Sequence, residues 1–378
     1  MISPYSLSVP GGVQNQILAL AKSIRKLGTD VRVLGPCDGP PPDTGITPLG
    51  NSLPTATNGS IAPLAPDAAA QLRVIRALRD EQFDVLHVHE PLAPGPTITS
   101  IVLKQSPIVA TYHRSGHSKF YDYFNRPARW VASRIEINCA VSEEAARTAK
   151  DALGGTYEIL FNGIDLDLFE TQIEKSATPT VLFIGRHEPR KGLQILLEAF
   201  RYLPNDVRLW IASEGPETEK LKEQTSSDSR IVWLGTISDA EKINRLQKCS
   251  VLCAPSLGGE SFGIVLLEAM AARTPVVASA IPGYIKLARQ GKDALLTKPG
   301  DPISLSDALR SVLFTDNVAS RFSESGRERA EQFSMDELAI QYQRIYERAL
   351  VISPAAPLLK RSSYSNPFLS MSRTNKSK

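Results

Sequence analysis

Short apolar runs alternate with helical segments along almost the whole of this 378-residue chain. Residues 180–184 and 251–254 are typical of these runs, which are rich in Val, Ile and Leu and favour strands. Strands separated by helices form βαβ units, and βαβ units build parallel sheets. The predicted strands are 30–34, 83–88, 108–112 and 137–141 in the first half, and 180–184, 207–212, 231–234, 251–254 and 275–278 in the second.

A polar stretch at residues 170–179 interrupts the alternation and divides it into two series. We therefore predict an α/β protein with two doubly wound, Rossmann-like domains that face each other, residues 1–169 and 170–333. Ligands of such sheets bind at the carboxyl ends of the strands, so the cleft between the domains is the expected site. A further helix is predicted at 334–350. Residues 351–378 contain five cations and no acid, and we predict that this tail is disordered.

Composition excludes several classes of protein. The net charge of +3 is too small to indicate nucleic-acid binding by itself. Four cysteines are scattered along the chain, and Cys249 and Cys253 lack a second pair, so neither zinc nor any other metal site is predicted. No apolar run approaches the roughly 20 residues of a membrane span, and no signal peptide opens the chain. We expect a cytoplasmic protein with reduced thiols.

Glu260 and Glu268 bracket the segment that is most informative about chemistry. The helix predicted between them is apolar on every face, which indicates that it is buried. Glu268 then needs a polar partner, because an isolated buried carboxylate is costly. Glu260 lies beside the backbone N–H groups that open the helix, a place suited to an anion or a sugar. For the pair taken alone, one solvated and one structural glutamate is the simpler alternative.

Two loops that join a strand to a helix contain candidate phosphate ligands. In the loop 185–192, Arg186 and Lys191 lie beside a helix N-terminus and could hold a diphosphate. In the loop 9–14, Gly11 and Gly12 would let backbone N–H groups approach a phosphate. A solvated basic loop and a simple tight turn are the respective alternatives. The second loop is not G-x-G-x-x-G, so a nicotinamide-dependent oxidoreductase is less favoured.

Histidines and arginines supply the remaining candidates. His113 ends the predicted strand 108–112, where active-site side chains of such sheets emerge. His87 and His89 share a strand face, but nothing else clusters with them in sequence, so metal binding is not predicted. Three arginines recur every third residue on the predicted helix 67–81 and suit either an anionic membrane surface or a solvated face: Arg73, Arg76 and Arg79.

Together these motifs resemble the retaining GT-B glycosyltransferases of family 4. Within that family, the chain is similar to the actinobacterial enzymes that transfer mannose from GDP-mannose to phosphatidyl-myo-inositol. The resemblance spans nearly all of residues 1–350, and two glutamates eight positions apart together with the basic loop are its most specific part. The matching stretches are 4–6, 9–14, 84–91, 108–113, 185–186, 188–192 and 253–272.

The resemblance implies a catalytic set of His113, Arg186, Lys191 and Glu260. In it, the two cations hold the donor diphosphate, and Glu260 and His113 contact the mannose. The other donor contacts that it implies are Gly12 and Arg190 at the diphosphate, Ile237, Ser238, Asp239 and Lys242 around guanine, Ser261, Phe262, Gly263 and Ile264 beside Glu260, and Glu268 on the ribose. The acceptor contacts that it implies are Tyr5, Gln14, Thr57 and Asn58.

The resemblance also implies partners and a location. The arginine helix would rest on the anionic inner face of the cell membrane, and the helix 334–350 would return to brace the first domain. We expect a monomer that binds no nucleic acid and has no tightly bound cofactor, although the family resemblance allows Mg²⁺.

One departure concerns the acceptor, because Pro63 and Ala65 stand where related enzymes carry arginines. Another lipid or a soluble polyol is therefore the alternative acceptor. A UDP-sugar donor and a non-catalytic nucleotide-sugar-binding protein are separate alternatives, because guanine recognition and catalysis rest on loop residues.

Overall fold

A computed structural model of the chain describes residues 1–9, 11–57, 60–114, 125–171, 173–260 and 262–353. Its first half alternates strands and helices as the sequence predicts. The elements are α1 (Gly12–Lys26), β1 (Val33–Gly35), β2 (Ile46–Pro48), β3 (Leu53–Thr57), β4 (Ser60–Leu64), α2 (Ala68–Glu81), β5 (Leu86–His89), α3 (Pro96–Leu103), β6 (Ile108–Tyr112), α4 (Asn125–Ala132), β7 (Ile137–Ala140), α5 (Glu143–Leu153) and β8 (Glu158–Ile159).

The second half begins with a short 3₁₀ helix at Leu166–Phe169 and has another at Pro189–Lys191. Its regular elements again alternate. They are β9 (Thr180–Ile184), α6 (Leu193–Phe200), β10 (Arg208–Ala212), α7 (Thr218–Gln224), β11 (Ile231–Gly235), α8 (Asp239–Lys248), β12 (Val251–Ala254), α9 (Ile264–Ala271), β13 (Val276–Ser279), α10 (Pro282–Ile285), β14 (Leu295–Thr297), α11 (Pro302–Phe314), α12 (Val318–Glu331) and α13 (Met335–Ile352).

The second sheet has the strand order β11-β10-β9-β12-β13-β14, with every pairing parallel. Counted from its own first strand, that order is 3-2-1-4-5-6, the doubly wound arrangement. The order reverses between β9 and β12, so the loops after these two strands diverge and leave a crevice. Both of the predicted donor segments lie in that crevice, because residues 185–192 follow β9 and residues 255–263 follow β12.

The first sheet is completed by a single residue. Ile2 pairs in parallel with Leu34 of β1 on one side and with Val88 of β5 on the other, and so joins β2-β1 to β5-β6-β7-β8. The Ile2 amide donates to the His87 carbonyl over 2.8 Å, and the His89 amide donates to the Ile2 carbonyl over 3.1 Å. The short first strand at the start of the chain therefore holds the central position of a second doubly wound sheet.

Each sheet is covered on both faces by apolar side chains. On the second sheet, one layer packs around α9 and the other around α6 and α11. On the first sheet, one layer packs around α2 and α3, and the other lies between α1 and α13. The last helix thus packs on the first domain, where Leu338, Tyr342 and Ile345 share a core with Ile17 and Leu20.

The predicted starts of two strands were wrong, and several elements were not predicted. The predicted strands 30–34 and 83–88 are β1 and β5, which begin three residues later, at Val33 and Leu86. The hairpin of β3 and β4 was missed because Pro54 and Pro63, which face each other in its register, interrupt any strand pattern. The helices α3, α4, α7, α10, α11 and α12 and the strands β2, β8 and β14 were also missed. Within the described residues, no helix is both long and apolar enough to cross a membrane.

Candidate active site

The loop after β9 is fixed against the loop after β12. Gly192 has a φ of +71°, and a β-carbon there would lie 2.0 Å from the carbonyl oxygen of Pro255, so only glycine fits. The Leu257 amide donates to the Arg190 carbonyl over 2.7 Å, a second link between the loops. These backbone contacts place the predicted basic residues beside the predicted sugar-binding segment.

Glu260 is the centre of the resulting charge cluster. Its Oε1 lies 2.6 Å from Lys191 Nζ and 3.0 Å from Arg190 Nη1, and the side chain is 13% exposed. Arg190 also donates to the Gly259 carbonyl over 3.2 Å and lies 2.6 Å from Glu188. Arg186 is exposed and has no ion-pair partner among the described residues. The loop therefore presents one unpaired cation and two that share a carboxylate.

Glu268 receives the polar partner that its burial requires. Lys242 Nζ of α8 lies 2.7 Å from Glu268 Oε1 and 3.2 Å from Asp239 Oδ1. Burial raises the pKa of Glu268, and the Lys242 ammonium opposes that rise. Burial also disfavours the charged lysine, but Glu268 and Asp239 together raise the pKa of Lys242. Lys242 is thus the cation that pairs with the carboxylate predicted to bind the ribose.

The loop at the start of α1 is braced by a buried glutamine. Gln14 is 6% exposed, and its amide donates to the carbonyls of Val9 over 3.2 Å and Ser6 over 3.4 Å. A β-carbon on Gly11 would lie 2.4 Å from Gln14 Oε1, so the glycine is needed for this contact. Gln14, a predicted acceptor contact, therefore shapes the loop in this structure.

The N-terminus of α1 faces the second domain across the cleft. A β-carbon on Gly12 would lie 3.9 Å from Cδ1 of Ile264, the first residue of α9. Asn15 Nδ2 lies 3.5 Å from Asp239 Oδ2, a second approach between the domains. The amino ends of one helix from each domain are therefore brought together, with their unpaired N–H groups on the cleft.

His113 follows β6 at the carboxyl edge of the first sheet. Its backbone N–H donates to Glu90 Oε1 over 2.6 Å, and its Nε2 lies 3.0 Å from Nδ1 of His89. Burial lowers the pKa of His113 to about 4. The imidazole is therefore neutral at pH 7 and can act as a hydrogen-bond partner, but not as a cation.

Two family models match the chain along almost its whole length. The model described as Glycosyltransferase Family 4 covers residues 10–168, and the one described as Glycosyl transferases group 1 covers residues 167–329. A phosphatidyl-myo-inositol mannosyltransferase of Mycobacterium leprae is 38% identical over 360 residues, which are 92% of this chain and 96% of that protein. The chain belongs to glycosyltransferase family 4. It is an enzyme of the hexosyl-transferring class.

Solved structures confirm the fold expected of a family 4 transferase. Sucrose-phosphate synthase from Thermosynechococcus elongatus matches with a TM-score of 0.72 at 19% identity, covering 93% of this chain and 98% of that one. The Anabaena protein HepE, solved in complex with UDP and glucose, matches with a TM-score of 0.69 at 18% identity, covering 92% and 98%. At such identities the likeness shows the GT-B fold alone.

The remaining predicted donor contacts of this family 4 transferase differ in how far their side chains are exposed. Phe262 is 1% exposed and stacks on Phe161 with 5.3 Å between ring centroids, so any donor contact would come from its backbone. Gly263, with a φ of +91°, is the N-cap residue that precedes α9, and Ser238 caps α8 by accepting the Glu241 amide over 3.2 Å. Ile237 lies half-buried before that cap. Asn58 and Ser261 lie outside the described residues, as does the part of the predicted tail after residue 353.

The predicted acceptor and membrane residues lie on the β3–β4 hairpin, beside it and on α2 in the first domain. Tyr5 forms an antiparallel bridge with Leu64 of the β3–β4 hairpin, and Thr57 ends β3. On α2, Arg73 donates to the Leu49 carbonyl over 3.1 Å, whereas Arg76 and Arg79 share Asp80 at 3.5 and 2.8 Å. All three arginines are exposed, but each has a polar partner within the protein.

Sequence reasoning missed Glu90 as a residue of the site. It is 7% exposed, lies directly after β5 and has a φ of +48°, which is strained for glutamate. Burial raises its pKa, while the N–H of His113 and the nearby Arg114 oppose the rise. Its place at the carboxyl end of a buried strand was the available signal. The described residues contain no group of three or more side chains arranged to hold a metal ion.

Proposed function

We propose that this chain is a retaining α-mannosyltransferase that moves mannose from GDP-mannose to the inositol ring of phosphatidyl-myo-inositol. The observation that carries the proposal is the cluster of Arg190, Lys191 and Glu260 in the crevice between β9 and β12. The names of the relatives, which cover 92% of the chain at 36–38% identity, support the acceptor and the sugar.

The chemistry requires that negative charge be stabilised as the sugar leaves its nucleotide. The bond between the anomeric carbon and a diphosphate oxygen lengthens, and an oxocarbenium-like sugar forms. In the proposal, Arg186 and Lys191 bind the departing diphosphate, aided by the N–H groups at the start of α1. An inositol hydroxyl attacks on the same face, and its proton passes to the departing phosphate oxygen. This mechanism needs no enzyme nucleophile.

Glu260 and Glu268 would bind the two sugars of the donor. Each carboxylate already contacts a lysine, Lys191 or Lys242, at 2.6 or 2.7 Å. A carboxylate that contacts a lysine on one oxygen can still accept hydrogen bonds from hydroxyl groups. In the proposal, Glu260 contacts hydroxyls of the mannose and Glu268 contacts those of the ribose. His113, neutral at pH 7, contacts the mannose from the opposite domain.

Recognition of the lipid phosphate differs from that in related enzymes. Pro63 faces Pro54 in the β3–β4 hairpin, and neither it nor Ala65 can bind an anion. Arg73 is the nearest arginine along the chain after this hairpin, but its guanidinium is engaged with the Leu49 carbonyl. This departure keeps a soluble polyol, or a lipid other than an inositol lipid, as the alternative acceptor.

The first test is the removal of each cation. Arg186→Ala and Lys191→Ala should each lower kcat/KM for transfer at least about 100-fold, because each removes a charge that stabilises the departing diphosphate. Thermal unfolding should be nearly unchanged for Arg186→Ala, since that side chain has no partner to lose. Arg201→Ala, exposed on the same domain after α6, is the matched control and should keep full activity.

The substrates are tested with the same preparations. GDP- and UDP-linked sugars are offered with vesicles that contain phosphatidylinositol, vesicles that lack it, or free inositol phosphate. Transfer only with GDP-mannose and phosphatidylinositol supports the proposal. Equal transfer from a UDP-sugar would contradict GDP-mannose as the donor, and equal transfer to an uncharged acceptor would contradict phosphatidylinositol as the acceptor. Wild-type turnover by Lys191→Ala would contradict the proposed mechanism.

A further inference from the structure

Three histidine rings lie in a row at the carboxyl ends of β5 and β6. The ring centroids of His87 and His89 are 4.2 Å apart, and those of His89 and His113 are 5.3 Å apart. His87 and His89 are each 2% exposed. Two of these histidines therefore lie in the protein interior behind the one that reaches the cleft, and the proposed mechanism gives neither of them a role.

The innermost ring is fixed by hydrogen bonds on both nitrogens. His87 Nδ1 lies 2.7 Å from the Tyr346 hydroxyl, and its Nε2 lies 2.7 Å from Thr111 Oγ1. Thr111 Oγ1 is also 2.8 Å from the Tyr342 hydroxyl. Because both tyrosines belong to α13, the last helix of the chain determines where this ring stands, and the ring of His89 packs against it.

The middle ring is satisfied on one side only. His89 Nδ1 lies 3.0 Å from His113 Nε2, whereas His89 Nε2 is buried with no hydrogen-bond partner among the described residues. If Nε2 carried the proton of His89, an N–H donor would be buried unpaired, which proteins avoid more strictly than an unpaired acceptor. This asymmetry favours the tautomer of His89 with its proton on Nδ1, which would donate to His113 Nε2.

We propose that His89 is a positioning residue that holds His113 as a neutral imidazole with its own proton on Nδ1. The lone pair of His113 Nε2 is occupied by the His89 donor, so Nδ1–H is the group left to donate to a substrate hydroxyl. A second proton on His113 would set two N–H groups against each other. The catalytic meaning of this arrangement rests on the proposed function, but the position of the proton does not.

The charged and titratable groups around the pair are consistent with a neutral ring. Burial lowers the pKa of His89 and of His113, and the neighbouring His87 adds to the effect on His89. Glu90 accepts the backbone N–H of His113 rather than a ring N–H, and Arg114 lies near that carboxylate. The tyrosine hydroxyls of α13 hydrogen-bond to His87 and Thr111 rather than to His89 or His113.

The proton position is measured by ¹⁵N NMR of the histidine-labelled full chain without substrate. The chain has five histidines, so His113→Gln and His89→Asn identify the relevant signals. We expect the ring of His113 to show the Nδ1–H tautomer, which is the minor form of free histidine. An Nε2–H ring at His113 in the wild-type protein would overturn the proposal, whatever the enzyme transfers.

Two substitutions then separate positioning from packing. The amide nitrogen of His89→Asn can take the place of Nδ1, so this variant should keep the His113 tautomer and most of the activity. His89→Leu has no donor, so His113 should revert to the Nε2–H form, and kcat should fall on the order of tenfold or more with little change in KM. Equal losses in both variants, with the tautomer retained, would contradict a positioning role.

Absence of mannosyl transfer in every preparation, together with the expected tautomer, would instead count against the proposed function alone. If His89→Leu fails to fold, the wild-type tautomer and His89→Asn still decide the question.

Discussion

Single residues in this enzyme meet two demands, since the groups that we propose to bind a donor also have to be stable without it. Lys242 and Glu268 form a nearly buried pair that satisfies the carboxylate inside an apolar helix. The sequence predicts that Glu268 needs a polar partner, but it does not identify Lys242, which lies 26 positions earlier on another helix. Only the packing of α8 against α9 brings the two together.

Removal of Lys242 alone should be costly. Lys242→Met leaves Glu268 buried beside α8 without its cation, and we expect the free energy of unfolding at pH 7 to fall by about 3 kcal/mol. The pKa of Glu268 is already raised by burial and would rise further. For an acid whose pKa is higher in the folded state, stability is lost as pH rises through that value. The loss should therefore be smaller at pH 4.5 than at pH 7.

Urea unfolding at the two pH values measures this difference. The double variant Lys242→Met with Glu268→Leu is the control, because it removes both charges, and it should recover most of the lost stability. An equal loss at both pH values would show that packing, and not charge, is responsible.

Gly192 should not tolerate a side chain. Its positive φ and the 2.0 Å approach of a β-carbon to the Pro255 carbonyl both oppose alanine, so Gly192→Ala should cost about 3 kcal/mol or more. Gly291 is the matched control, because its φ is +70° and no atom lies within 4 Å of its β-position. Gly291→Ala carries the backbone strain alone and should cost about 1 kcal/mol. Chemical denaturation compares them, and equal costs would mean that the loop shifts away freely.

Whole elements were predictable where one physical signal dominated. β9 and β12 were predicted with correct ends because they are short, fully buried apolar runs between loops. The single-residue strand at Ile2 has too few residues for a pattern, and only the neighbouring strands define it. α12 is polar and contains Gly326, which helices disfavour, yet here the glycine lets α12 lie against Met270. That reason is tertiary and cannot be read from the sequence.

The donor segments followed the same rule. The loops after β9 and β12 were recognisable, since strand ends collect functional residues in doubly wound sheets. The link between Arg190 and Glu260, and the row of histidines, depend on which strands are neighbours. Those contacts required the structure.

The arginine helix α2 should carry any attachment to an anionic membrane. Arg76, Arg79 and the Asp80 that they share carry a net charge of +1, and Arg76→Ala with Arg79→Ala changes it to −1. At about 1 kcal/mol for each charge, we expect binding to phosphatidylglycerol vesicles to weaken roughly 30-fold. Leu72 and Ile75 on the same helix are 66% and 38% exposed and would add apolar contact. Vesicle sedimentation at low salt measures the binding.

The double variant Arg201→Ala with Arg310→Ala removes two exposed arginines of the other domain and is the matched control. Unchanged binding in the α2 variant, or an equal loss in the control, would rule out this helix as the attachment surface.

At the scale of the whole molecule, few polar side-chain contacts join the two domains among the described residues. Lys286, after α10, lies 2.9 Å from Glu143 at the start of α5, and both side chains are about half exposed. On α1, Asn15 Nδ2 lies 3.5 Å from Asp239 Oδ2 of the second domain. The Lys286–Glu143 pair is exposed and therefore individually weak.

Reversal of the charge on Lys286 should open the cleft. Lys286→Glu sets two carboxylates against each other, and we expect a larger radius of gyration in X-ray scattering at low salt. The swap Lys286→Glu with Glu143→Lys should restore the wild-type value. In roughly 1 M salt, where charges are screened beyond about 3 Å, all three proteins should scatter alike. An identical radius of gyration in every condition would show that the pair does not hold the domains together.

The ion pair of Lys191 with Glu260 has one more consequence. Lys191 is already paired with a carboxylate, so the diphosphate that we propose it binds would have to compete with Glu260. If the hexose is attached, its hydroxyls can donate hydrogen bonds to the carboxylate that the lysine releases. A bare nucleotide has no such hydroxyls, so the carboxylate stays beside the phosphates and is repelled by them. The enzyme would then distinguish the nucleotide sugar from the free nucleotide by this change of partner at Glu260. The same change that favours binding of the donor would favour release of the nucleotide product.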